Sequence, residues 1–165
     1  MDFEQFVDEQ GPSLLRLAMA LTGEHHLAED LTQSTLTTAY GSWGRVRAAG
    51  DPAAYLRRVM INRYIGWRRR RWTWERPVDA DTLLRHQPGP DRTSAIEDRD
   101  EVRDLLSVLP PRSKAVLVMR YYLDMEDSAI AEALGVSASG VRATASRALA
   151  ALRLSIATRT EKASS

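Results

Sequence analysis

The sequence predicts an all-α fold: two small helical domains joined by a flexible linker, the C-terminal one a helix-turn-helix. Apolar residues recur at helical spacing along most of the chain, and no segment sustains strand alternation. That periodicity fails between Arg76 and Ser94, where Pro77, Pro88, Gly89, Pro90 and scattered Asp residues read as a linker. Beyond it, two short periodic segments meet at Gly135.

Phe3, Phe6, Val7, Leu14, Leu17, Ala18 and Leu21 define a first helix that Gly11-Pro12 should bend or restart. Thr22-Gly23 ends it. A second helix runs from Leu27 to Tyr40, with Leu27, Leu31, Leu36 and Ala39 apolar. Gly41, Gly44 and Gly50 mark a loop closing at Asp51-Pro52, an N-cap followed by Pro at the first helical position. A long helix spans Pro52 to Trp72. After the linker come Ala95 to Val108 and, started by Pro110-Pro111, Arg112 to Tyr122. In the last unit Ile130, Ala131 and Leu134 face inward from one helix. Val141, Ala145, Ala148 and Leu152 do so from the next. Gly135 supplies the permissive backbone between them, and Ser137 is a natural N-cap. The polar tail after Arg159 should fray.

A helix held this way can enter the major groove, which makes duplex DNA the first partner to consider. Charge supports this. The net +1 conceals blocks of −4 over residues 1–50, +6 over 51–76, −4 over 77–104 and +3 over 105–165. Two basic blocks suggest two places that hold phosphate backbone. Most basic residues are arginine, suited to forked contacts. The chain has no cysteine, hence no disulfide framework or thiolate metal site. With no signal-like start and no apolar run of membrane length, a cytoplasmic protein without membrane insertion is expected.

Within the long basic helix, Leu56, Met60, Tyr64 and Trp67 fall on one side. Arg58, Asn62, Ile65 and Arg69 fall on the other, spaced by four, three and four. Asn62 can pair in two directions with a base edge while the arginines bracket it on phosphates. Arg68 to Arg71, then Trp72 and Trp74, interleave cations with aromatics, a composition that grips single-stranded nucleic acid. Dipole stabilisation of a helix end explains one or two of these arginines, not four beside two tryptophans.

Five stretches in order resemble one family: Ala28-Glu-Asp-Leu-Thr-Gln33, Asp51 to Asn62, Trp67 to Trp72, Leu109 to Tyr122 and the helix-turn-helix. The chain is similar to group IV, extracytoplasmic-function sigma factors of the sigma-70 family, most like the small actinobacterial SigE-type subgroup. The resemblance implies residues 1–75 as the domain for core polymerase docking and −10 recognition and melting. It implies 76–95 as an acidic linker, 96–157 as the −35-reading domain and 158–165 as a polar tail. Asp30, Leu31, Gln33 and Leu36 would meet the clamp region of the β′ subunit, with the β flap a second polymerase contact. Arg58, Asn62, Arg69, Arg70 and Trp72 would bind −10 DNA, and loop 45–51 would help hold a flipped base. Ser137, Ser139, Arg142, Ala143, Ser146 and Arg147 would face −35 DNA. An anti-sigma factor is a further candidate partner. The sequence departs from the family at Ser34, where an acid is usual, and at Glu126, Ala129 and the Ala138-Ser139-Gly140 mouth of the recognition helix.

Two other classes are weighed. A stand-alone dimeric helix-turn-helix regulator would explain the C-terminal unit but leave the Arg-Trp block and the Asn62 stripe without purpose. An enzyme would need a site. His25 and Glu29 lie one turn apart, but no third ligand, nucleophile constellation or phosphate-binding glycine loop accompanies them. The expectation is no catalytic residue, no metal and no cofactor.

Overall fold

A computed structural model describes residues 1–74 and 94–165, with the side chains of 71–99 outside that description. The expected linker therefore falls largely outside the described residues. Those residues form helices and the turns between them, without a strand.

Helix α1 (Phe3–Thr22) starts at Asp2, whose carboxylate accepts the Gln5 amide at 2.8 Å. It runs through Pro12 without restarting. The missing proline donor is outweighed by Phe6, Leu14, Leu17, Ala18 and Leu21, buried on either side of it. Gly23, at φ +69°, closes the helix in the left-handed conformation and turns the chain into α2 (His25–Tyr40). Three hydroxyls inside this hairpin need partners. Thr22 donates to the Ala18 carbonyl (2.8 Å), and Thr32 and Thr35 donate to the carbonyls of Ala28 (2.7 Å) and Leu31 (2.8 Å), each on its own helix.

The glycine-marked loop contains an unpredicted short helix, α3 (Trp43–Ala48). It buries Val46 and stacks Trp43 edge-on against Phe3 at 5.4 Å between centroids. Helix α4 (Pro52–Trp74) starts where expected, the Asp51 carboxylate accepting the Ala54 amide at 3.0 Å. Leu56, Met60 and Tyr64 are buried, and Trp67 is half-buried. Ile65 corrects the wheel reading: it packs against the core rather than joining the exposed stripe. Ile61 is buried beside it, because α4 meets helices on more than one side.

The C-terminal unit comprises α5 (Ser94–Leu106), α6 (Pro111–Leu117), a π-helical turn (Val118–Tyr122), α7 (Asp127–Leu134) and α8 (Ala138–Ala163). The expected helix from Arg112 to Tyr122 is thus divided. The widened turn leaves Tyr121 and Tyr122 exposed while Met119 is fully buried. Gly135, at φ +67°, caps α7. Helix α8 extends to Ala163, so the tail expected to fray after Arg159 is helical. Helix α6 packs on α8, as does α7, and both α6 and α7 also touch α4. No helix among the described residues is long and apolar enough to cross a membrane.

One buried charge sits in this arrangement. Lys114 on α6 is 5% exposed. Burial, followed by the like charges of Arg68 and Arg103, lowers its pKa from 10.5 to about 8. Between those two values the unfolded chain holds a proton on Lys114 that the folded chain releases. Stability should therefore rise as pH climbs through that window. Lys114→Met should abolish the rise and add roughly 1–3 kcal/mol of stability near neutral pH. Urea unfolding of both proteins from neutral pH to above the folded-state pKa checks this.

Candidate nucleic-acid interface

Two exposed faces carry the residues singled out by sequence. The first lies on α4, where Tyr55, Arg58, Val59, Asn62, Arg63 and Arg70 line an open groove of about 540 Å³. Arg58, Asn62, Arg69 and Arg70 are all exposed. Arg70 folds back, its Nε donating to the Gly66 carbonyl at 3.3 Å. The side chain of Trp72 lies outside the described residues. Asn62 is less available than its exposure suggests. Its Nδ2 donates to the carbonyls of Arg58 (3.1 Å) and of Ala133 on α7 (3.0 Å). Arg58 Nη2 likewise donates to the Glu132 carbonyl at 3.1 Å.

Arg63 was not singled out by sequence, yet it ties this face to α2. It donates to the Ser34 hydroxyl through Nη1 and to the Thr38 hydroxyl through Nη2, the latter at 2.6 Å. Ser34, the departure from the usual acid, is thus engaged in bracing α4. Only the spatial crossing of α2 and α4 reveals this role.

Loop 45–51 borders a second cavity of about 350 Å³, lined among others by Phe6, Trp43, Arg47, Gly50 and Asp51. Trp43 Nε1 is buried without a hydrogen-bond partner in the chain. Gly50 takes φ +94°, a conformation that L side chains rarely adopt.

The second face is the start of α8. Ser139, Arg142, Ala143, Ser146 and Arg147 are exposed, whereas Val141, Ala145 and Ala148 are buried. The wheel separation read from sequence therefore holds in space. Ser137 caps the helix by accepting the Gly140 amide at 3.0 Å. A Cβ at Gly140 would lie 3.1 Å from the Ser137 hydroxyl, so the glycine makes room for the cap. Glu126, at the start of α7, makes no side-chain cap. Asp127 instead receives Arg120 at 3.2 Å.

On α2, Asp30 and Gln33 are exposed and one turn apart. Leu31 is 1% exposed and belongs to the core, so its expected place in a partner contact is corrected; Leu36 is half-buried beside it. A leucine at this register faces inward because α1 and α4 cover that side of α2. His25 and Glu29 pair at 2.9 Å, and no group of three metal-ligating side chains occurs among the described residues.

Residues 6–73 match the family described as sigma-70 region 2, and residues 99–152 match sigma-70, region 4. RNA polymerase sigma-E factor of Streptomyces coelicolor is 39% identical over 153 residues, spanning 93% of this chain and 85% of that protein. ECF RNA polymerase sigma factor SigL of Mycobacterium tuberculosis is 33% identical over 156 residues, 90% of this chain and 85% of that one. Among solved structures, the sigma factor RpoE in complex with the anti-sigma factor NepR from Bartonella quintana aligns with a TM-score of 0.66. It is 22% identical and covers 92% of this chain and 94% of that chain. CnrH in complex with the cytosolic domain of CnrY aligns with a TM-score of 0.62 at 22% identity, over 94% of this chain and 88% of that chain.

The Ser137–Gly140 contact gives a coupled prediction. Ser137→Ala should cost about 1 kcal/mol of stability through the lost cap. Gly140→Ala should recover less than its helix-propensity gain of roughly 1 kcal/mol while the Ser137 hydroxyl crowds the new methyl. In the Ser137→Ala background the full gain should appear. A double-mutant cycle in urea measures the difference.

Proposed function

Because the chain belongs to the group IV, extracytoplasmic-function branch of the sigma-70 family, we propose that it binds core RNA polymerase and directs promoter-specific initiation. Residues 1–75 are assigned to polymerase docking and −10 opening, and residues 96–157 to −35 duplex. Residues 76–95 are the connector and 158–165 the tail. The observation that carries this reading is the pairing of two chemically different exposed faces on two helical units. The α8 face offers two arginines and small polar residues on a capped helix start, the form suited to a major groove. The α4 face offers an amide among arginines beside a groove, suited to a strand already parted from its complement.

Asn62 with Arg58, Arg69, Arg70 and Trp72 would engage the −10 strand. The cavity at loop 45–51 would take a flipped base, where contact with the Trp43 ring repays part of the unstacking cost. Ser137, Ser139, Arg142, Ala143, Ser146 and Arg147 would face the −35 element. Asp30 and Gln33, with half-buried Leu36, would meet the clamp region of β′, and the C-terminal unit would meet the β flap. Its place of action is the cytoplasm. An anti-sigma partner is supported by the solved relative RpoE, which is in complex with the anti-sigma factor NepR.

Run-off transcription with purified core polymerase on a promoter library tests the reading. Arg142→Ala should cost about 1–3 kcal/mol and relax preference at one −35 position if it reads a base. Asn62→Ala should leave −35 binding intact and impair opening. A template mismatched across the −10 element should restore part of the Asn62→Ala activity and little of the Arg142→Ala activity. Equal rescue of both overturns the assignment of faces. Asp30→Ala with Gln33→Ala should weaken core binding in a titration at unchanged helical content, since exposed substitutions cost little stability.

A further inference from the structure

Arginine supplies nearly all of the positive charge in this chain. Of its 23 basic residues, Lys114 and Lys162 alone are lysines. Lys162 is exposed near the end of α8, whereas Lys114 on α6 is 5% exposed. The two kinds of cation differ at one point that burial makes decisive. A guanidinium keeps its proton inside a protein, while an amine can lose it and then carries a nucleophilic lone pair. A lysine desolvated beside other cations is the form in which this nucleophile is activated.

The surroundings of Lys114 supply those cations. Arg68 on α4 and Arg103 on α5 both oppose its protonated form, and it has no hydrogen-bonded or ion-paired side-chain partner among the described residues. The stem of Arg103 lies against Gly23, where a Cβ would meet its Cγ at 2.8 Å. Arg103 Nη1 pairs with Asp100 at 3.3 Å, and Arg68 shares a hydrogen bond with the Tyr64 phenol. A guanidinium has five N–H donors, so each arginine keeps others for a further oxygen acceptor. A carboxylate on the tip of Lys114 itself would supply that acceptor.

We infer that Lys114 is an acceptor of carbon dioxide, its amine forming a carbamate whose carboxylate is held by the Arg68 and Arg103 guanidiniums. The Nζ lone pair attacks the carbon of carbon dioxide. The N–C bond forms as one C–O π bond opens, its electron pair settles on oxygen, and the nitrogen gives one proton to solvent. No oxidant or second reactant is needed. Carbon dioxide is small and uncharged, so it can reach an amine that is closed to larger electrophiles. Burial and the two arginines, which bring the amine to about 8, keep a share of it in the neutral, reactive form near neutral pH. The product reverses the local balance: a cation repelled by two others becomes an anion between two forks that fit its oxygens. The modification would tie α6 to α4 and α5 at one point.

The test incubates the full chain with isotopically labelled bicarbonate, in equilibrium with dissolved carbon dioxide, at a pH near the folded-state pKa of Lys114. A trialkyloxonium reagent then converts any carbamate to a stable ester. Peptide mass spectrometry should find the labelled ester on Lys114 and not on exposed Lys162. Against chloride of equal ionic strength, bicarbonate should raise the melting temperature by roughly 2–4 °C and leave that of Lys114→Met unchanged. Circular dichroism establishes that Lys114→Met is folded. Absence of the ester from Lys114 at saturating bicarbonate overturns the proposal, and a rise in melting temperature without the ester replaces it with a bound bicarbonate ion. An ester without the rise overturns the holding of the carboxylate by the two arginines. Neither readout involves core polymerase, so each outcome is independent of the sigma-factor reading.

Discussion

Helix α4 is the wall against which both halves of the molecule are built. Its buried residues Leu56, Met60, Ile61 and Tyr64 hold α1, α2 and α3 on one side, while α6 and α7 rest on another. Each such side chain contributes about 1.5–3 kcal/mol when removed from water, so burial fixes its rotation. Once those residues face inward, Arg58, Asn62 and Arg69 have no choice but to face outward. The exposed polar stripe follows from the core, and its orientation is made firmer by Arg63, which reaches across to Ser34 and Thr38 on α2. The same helix that both units pack against also carries the densest positive charge.

That coincidence creates an electrostatic conflict, and Lys114 shows where it falls. Arg68 on α4 and Arg103 on α5 both press on a lysine already deprived of water. The phenol of Tyr64 feels the opposite pair of influences: burial raises its pKa while the charge and hydrogen bond of Arg68 lower it. Structural cations in an interior are costly unless paired. Keeping them at the meeting of the two units makes that seam weaker than an apolar one would be.

Much of this was legible in sequence, for reasons that differ by element. Asp51-Pro52, Gly23 and Gly135 announce helix boundaries because capping and left-handed turns each admit few residue types. Val141, Ala145 and Ala148 announce the inner face of α8 because its packing partners α5, α6 and α7 all lie on that side. Where neighbours converge from different sides, one-dimensional periodicity fails. Ile65 was assigned to solvent and Leu31 to a partner, yet both serve the core, because α4 and α2 are each covered from more than one direction. Helix α3 escaped notice because three glycines outweigh the Trp43–Val46 apolar pair in any local reading, and aromatic packing on Phe3 and Phe6 decides otherwise. The π-helical turn and the Arg63 brace have no local signature at all. The capping of α7 by Arg58 and Asn62 joins residues 71 or more apart, so no pattern within either helix could announce it.

The energetic scale of that capping decides what it can do. Two hydrogen bonds, one from a charged donor, contribute about 1–3 kcal/mol together after exchange with water is counted. The like charges gathered near Lys114 offset part of this. Those bonds add to the packing of helix α6 on helix α4, which also joins the two units. Backbone carbonyls suit this place because they engage the donors with fixed geometry while carrying only partial charge.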